Sequence, residues 1–404
     1  MRMIACGDIA LCKGIESMIL SREQGELAKD FRSIFHEADI FLANVECPLT
    51  DSESPAWDYF PTLKGKRDVG RILGDLGVTI ASLANNHIAD YGLRGLEDTI
   101  SVLEEQGIAW VGAGWAPEEA SEPLIIDKGD CKIGILALAQ PEISAAKRGK
   151  WGAGVLEYDA AIKTMERLAR EVDVAIAYLH FGVEFFEYPT PHQVRFSRSL
   201  IDHGALLVLG HHPHVPQGYE HYKNGFIAYS LGNFIFDMPG GTHKFSRLGL
   251  LVKAEIEKDG IKSVEVIPVD TSGGNPRLLR DDEGKEAEDY LRRLSLVIED
   301  KNELGKAYYF TCKGNFNIFL GALIQYGLKK GNLRRIKDLL LAQLWPQLFQ
   351  LRIDLLRFMF SGDALRFEKM RNVGSTGLAG RIWRGFCGLC SLVAYPWGRY
   401  LEIR

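Results

Sequence analysis

Apolar and polar positions alternate in blocks along the first two thirds of this chain. Short apolar runs at 40–43, 78–83, 132–138, 172–179 and 205–209 read as buried strands, and a further one opens the chain at 1–6. Between them, 25–36, 91–106, 159–171 and 191–203 repeat their apolar residues at helical spacing. Strand alternating with helix predicts an α/β architecture. Further on, 226–231, 249–257 and 261–269 read as antiparallel strands, with Asp259-Gly260 as a two-residue hairpin turn. Residues 271–284, rich in Gly, Asp, Asn and Pro, read as a linker, and 286–300 and 333–360 as helices. The expected organisation is therefore a domain over 1–270, a linker over 271–284 and a mostly helical extension over 285–404.

Charge sharpens that division. The 404 residues carry a net charge of −5, but from Lys329 onward 14 Lys and Arg face 5 Asp and Glu. The first 328 residues hold 34 against 48, so an acidic domain is followed by a basic extension. Its end mixes Trp383, Phe386, Tyr395, Trp397 and Tyr400 with Arg381, Arg384 and Arg399. That composition suits a helical appendage packed on the α/β core, and also a peripheral contact with a membrane surface or a protein. It carries no nucleic-acid motif, so nucleic acid is not an expected partner. No apolar run reaches the roughly 20 residues of a membrane span, and no secretory leader precedes the first strand. Seven scattered cysteines do not form a disulfide framework. Cys387 and Cys390 lack a second pair to make a zinc site, and Cys47 reads as a packing residue. The expected location is the cytoplasm, peripheral to the membrane if the tail makes that contact.

The chemistry collects where strands end. Three of the ten histidines crowd Gly210-His211-His212-Pro213-His214, directly after the run at 205–209. One such histidine would be an ordinary turn residue; three together, aimed from a strand end, point to metal binding. Four more polar clusters follow strands: Gly7-Asp8; Asn44-Val45-Glu46; Asn85-Asn86-His87 with Asp90; and His180 with Glu184. Each alone could be a cap or a satisfied loop. In an open α/β sheet, however, such ends meet at one crevice. Mixed nitrogen and oxygen donors suit Mn, Zn or Fe rather than Ca.

These clusters, together with Asp90-Tyr91-Gly92, His180-Phe181-Gly182-Val183-Glu184, Gln217-Gly218 and Tyr229-Ser230-Leu231-Gly232-Asn233-Phe234, resemble the calcineurin-like metallophosphoesterase superfamily. They are closest to its CapA/PgsA branch of capsule and poly-γ-glutamate biosynthesis proteins, over about residues 3–270. The resemblance implies an αββα sandwich with two mixed sheets, followed here by the C-terminal helical extension. It implies one or two divalent ions, with Asp8 as a first-metal carboxylate, Glu46 in the place of a bridging Asp, Asn86 and His180 as second-metal ligands, and His212 and His214 serving one ion each. His87 resembles the superfamily's general acid, Asp90 would orient it, and Glu184 stands with them in the catalytic group. Asn44, Asn85, His211, Tyr229 and Asn233 would line the site. The superfamily's Asp-x-His is Asp8-Ile9-Ala10 here, which removes a nitrogen donor. A water, Glu46 or another side chain must replace it, His243 being a remote candidate.

Three functions remain open on these residues. A two-ion site would hydrolyse a phosphoester, or a peptide or γ-glutamyl amide, in capsule or cell-envelope polymer synthesis. A single ion would suit a peptide epimerase or isomerase acting at an α-carbon, which needs fewer donors. A capsule-assembly protein could instead bind its polymer without catalysis. The substrate is in each case a small molecule, peptide or polymer.

Overall fold

The computed structural model describes residues 1–21, 27–57, 62–142, 144–146, 150–237, 247–309 and 311. His243, the helix expected at 333–360, the aromatic and basic tail, Cys387 and Cys390 lie outside them. The compact unit described below runs from Met1 to Tyr308.

Two mixed sheets form its centre. The first has seven strands in the order Arg277–Leu278, Gly260–Asp270, Leu248–Glu257, Arg2–Cys6, Ile40–Asn44, Ile80–Ser82 and Ala109–Val111. The last four are parallel, and the first three join Arg2–Cys6 in antiparallel fashion. The second has six strands in the order Tyr219–Tyr222, Gly225–Ala228, Ala205–His211, Val174–His180, Cys131–Ala139 and Leu124–Lys128. Its middle four are parallel and its two edges antiparallel.

The continuous apolar character of the central strands follows from burial on both faces. Between the sheets, Ala5, Leu42, Ile133, Ile176 and Leu207 belong to one core, and the Tyr178 hydroxyl crosses to donate to Cys6 O at 3.3 Å. The outer face of the second sheet, through Leu136, Ala175, Ala177 and Val208, shares a core with Met165 and Leu168 of helix Tyr158–Glu171 and with Val194 and Leu200 of helix Pro191–Asp202. Over the first sheet, Phe35 of helix Arg32–His36 stacks on Phe41 at 4.4 Å, and helices Lys13–Leu20 and Gly92–Glu105 bury Ile15, Ile19, Leu96 and Leu103. The layers are thus the αββα sandwich expected. Helix Pro191–Asp202 starts where it does because Thr190 and Gln193 exchange hydrogen bonds, 3.0 and 2.9 Å, ahead of a proline that needs no donor partner.

Two expectations need correcting in detail. Gly225–Ala228 lies parallel, not antiparallel, to Ala205–His211. An unforeseen strand, Tyr219–Tyr222, reverses the chain first and pairs antiparallel with it. Within 271–284, Arg277–Leu278 adds an edge strand to the first sheet, with Leu278 N donating to Asp30 at 3.1 Å, and helix Asp281–Glu299 begins.

Gly210 is where the second sheet closes on the histidine turn. A Cβ there would meet the backbone oxygen of Tyr229 at 2.0 Å. Gly210→Ala is expected to destabilise the fold by about 2–4 kcal/mol, as forced overpacking against backbone does. Urea unfolding of the two proteins measures this difference.

Candidate metal centre

The parallel strands of both sheets deliver their C-terminal ends to one crevice. From the first sheet, Arg2–Cys6 leads through Gly7 to Asp8, Ile40–Asn44 leads to Glu46, and Ile80–Ser82 leads to Asn85-Asn86-His87. From the second, His180 stands in register with His211 on one side and with Ala139 on the other. The turn after His211 is strained in a useful way: His212 (φ +94°) and His214 (φ +57°) both occupy the left-handed region. Each costs on the order of 1–3 kcal/mol. Phe185 N braces the turn by donating to Pro213 O at 2.8 Å.

Two groups of donor atoms result. His180 Nε2 lies 3.0 Å from Asn86 Oδ1, 3.1 Å from His212 Nδ1 and 3.6 Å from Glu46 Oε1. The same Glu46 oxygen is 3.6 Å from His214 Nε2, and His214 Nδ1 is 3.4 Å from Asp8 Oδ2. One donor atom each from Asp8, Glu46 and His214 falls within a 4.8 Å span, and all three residues are buried.

Asp8 and Glu46 are 0% exposed, and Asp8 Oδ2 and both Glu46 oxygens accept no hydrogen bond. Two unit negative charges within 4.8 Å repel by about 3 kcal/mol or more at an effective dielectric near 20. The site resolves this unevenly. Burial alone would raise the Asp8 carboxyl, but His211 and His214, with His180 behind them, hold it well below its ordinary value. Burial and the Asp8 charge push Glu46 well above its own. Burial lowers His180 strongly and His212 to about 4, so both imidazoles stay neutral and keep a lone pair. Against its burial, Asp8 and Glu184 raise His214. Neutral imidazoles, an amide oxygen and orphaned buried carboxylate oxygens form a donor set that fits a divalent cation.

The remaining expected site residues divide. His87 Nδ1 lies 2.7 Å from Asp90 Oδ2, which also accepts from Leu63 N at 2.7 Å. Glu184 is close enough for its charge to act on Glu46, His212 and His214. Asn233 Oδ1 is 2.9 Å from His214 Nδ1, which leaves His214 Nε2 facing Glu46. Asn44 donates to Asp8 at 2.8 Å, and Asn85 donates to Asn44 at 3.2 Å while accepting from His87 N and Ile88 N. They brace the ligand loops. His211 Nδ1 contacts Asp8 Oδ1 at 2.9 Å, on the residue that Ala10 leaves short of a nitrogen neighbour. Tyr229 is not brought to the cluster: its hydroxyl donates to Glu220 at 2.5 Å, and Glu220 pairs with Arg198 on the helix side of the sheet. One residue was missed altogether. Glu142 Oε1 lies 3.5 Å from His212 Nε2. Its signal was available, since Gln140-Pro141-Glu142 directly follows a buried strand, as every other cluster does.

The chain belongs to the bacterial capsule synthesis protein PGA_cap family, whose sequence profile matches residues 2–238. It is 29% identical over 285 residues to the PGA biosynthesis protein CapA of Bacillus subtilis, covering 69% of this chain and 74% of the other. To the capsule biosynthesis protein CapA of Bacillus anthracis it is 26% identical over 284 residues, 68% of each chain. A phosphatase structure from Mycoplasma pneumoniae aligns with a TM-score of 0.43 at 15% identity, over 67% of this chain and 93% of that one. Among the described residues no helix is long and apolar enough to cross a membrane.

Glu46 sets a test whose sign can be worked out. A carboxyl whose folded pKa is raised stabilises the fold below its ordinary range, and that stability is lost as pH rises through the raised value. In chelator-treated protein at pH 7–8, Glu46→Gln should therefore raise the melting temperature by a few degrees. Added Mn²⁺ is expected to stabilise the unaltered chain, and Glu46→Gln should remove most of that gain. Thermal unfolding with and without Mn²⁺ reads both effects.

Proposed function

We propose that this chain is a metal-dependent hydrolase acting on a phosphoester or a γ-glutamyl amide in capsule-polymer synthesis. The observation that carries the proposal is the placement of Glu46 Oε1, 3.6 Å from both His180 Nε2 and His214 Nε2, between two donor groups. Asn86, His180 and His212 would hold one ion, Asp8 and His214 the other, and Glu46 would bridge them. Bound Mn, Zn or Fe would supply Lewis acidity, polarising the scissile bond and making water nucleophilic near neutral pH. The polymer link is supported by the relatives, whose names tie them to capsule and PGA biosynthesis.

The chain's own residues do the rest. The Asp90 carboxylate accepts from His87, so Nδ1 carries a proton and Nε2 is the nitrogen turned to substrate. When Nε2 is also protonated, Asp90 stabilises the imidazolium and keeps the ring oriented, and His87 can pass that proton to a departing alkoxide or amine. Asp90 itself is held in place by Leu63 N. Glu184, whose charge reaches Glu46, His212 and His214, would orient substrate beside them. Burial of the donor groups limits water around them, which strengthens each of these interactions.

His87→Ala should lower turnover by about 10²–10⁴-fold, the usual contribution of a general acid, with metal content unchanged. The check is elemental analysis alongside rates on a panel of phosphodiesters, phosphomonoesters and γ-glutamyl peptides. Loss of metal in the variant would make His87 a ligand and overturn its assignment. A metal-loaded wild-type chain inert on the whole panel would overturn hydrolysis.

A further inference from the structure

The loop after Cys131–Ala139 joins the two sheets above the crevice. Ser144 donates to Asn86 O at 2.6 Å and accepts from Ala89 N at 3.1 Å. Gln140 accepts from Gly182 N at 3.3 Å and donates to Glu142 Oε1 at 3.0 Å. One loop therefore grips both the Asn85-Asn86-His87 segment of the first sheet and the His180-Phe181-Gly182 segment of the second. Glu142 sits at its centre. Its side chain is mostly buried, with Oε1 3.5 Å from His212 Nε2, and the Asn86 side chain is near enough to oppose the rise that burial gives this carboxyl.

We infer that Glu142 is a positioning residue that sets the donor atoms of two metal ligands at once. The argument is one of complementarity. A carboxylate only accepts, so a ring nitrogen facing it carries hydrogen. With hydrogen on His212 Nε2, the lone pair falls on Nδ1, the atom 3.1 Å from His180 Nε2. Likewise an amide that turns its NH₂ to Glu142 must turn Oδ1 inward, and Asn86 Oδ1 does lie 3.0 Å from His180 Nε2. Carboxylate partners of this kind fix ligand tautomer and orientation, and losing one typically costs 10–100-fold in metal affinity. On the other side of the cluster, Asn233 bears the same relation to His214.

This rests on the metal-dependent reading above, and the test separates the two. Mn²⁺ binding to the full chain would be measured by electron paramagnetic resonance of the free ion, for wild type, Glu142→Ala and Glu142→Gln. Glu142→Ala is expected to weaken the more weakly held ion by about 10–100-fold. Glu142→Gln, equal in size and therefore least disturbing to the fold, retains one acceptor oxygen for its three partners, Gln140, Asn86 and His212, and should lose less, several-fold. In metal-free protein, nitrogen-15 shifts of the His212 ring should show a single Nε2–H form in wild type and a mixture of tautomers in Glu142→Ala, an effect that loop loosening alone would not produce. Variants binding Mn²⁺ as tightly as wild type would overturn the role of Glu142 alone. A wild-type chain binding no Mn²⁺ would overturn it together with the metal reading.

Discussion

Two carboxylates side by side in a water-excluded interior are the constraint on which the rest of this structure turns. Asp8 and Glu46 are fully buried, and three of their four oxygens accept no hydrogen bond. A fold normally avoids this, because an unpaired buried charge costs far more than a surface one. Here it is tolerated because three imidazoles converge from the opposite sheet. His211 and His214 favour the ionised form of Asp8, while burial and the Asp8 charge disfavour ionisation of Glu46. The site is built to be completed by positive charge.

The four-layer architecture supplies that arrangement. Parallel strands in both sheets point the same ends at one crevice, so each sheet contributes a different chemistry. Among the six residues grouped around Glu46, the carboxylates and the amide (Asp8, Glu46, Asn86) follow strands of the first sheet and the imidazoles (His180, His212, His214) strands of the second. The bracing is equally divided. Asn85 and Asn44 form a chain of donors reaching Asp8, while the loop carrying Gln140, Glu142 and Ser144 ties the sheets together over the opening. The left-handed backbone at His212 and His214 is the local strain accepted to spread two imidazoles from one short turn.

Family and donor types were legible in the sequence because each polar cluster follows an apolar run long enough to be a buried strand. Strand ends fix where a side chain begins, however, and not where it points. Tyr229, directly after strand Gly225–Ala228, continues its alternation, joins Ile227 in the core on the helix side and turns its hydroxyl to Glu220, the partner of Arg198. Asn44 and Asn85 look like lining residues in sequence, yet their amides are spent on neighbouring loops. Glu142 shared the signal of the other clusters, a polar residue just past a buried strand, but as a single carboxylate after a proline it read equally well as a solvated turn residue.

The sequence by itself determined the α/β alternation, the order of the strands along the chain and the kinds of atoms their ends offer. These depend on local periodicity and on side-chain chemistry, which short stretches carry in full. Only the tertiary structure decided that Glu46 stands between His180 and His214, that His211 meets Asp8, and that Glu142 reaches His212. Those pairings join residues between 70 and 203 positions apart. They arise from how two sheets pack face to face, a relation that no local stretch of the chain encodes.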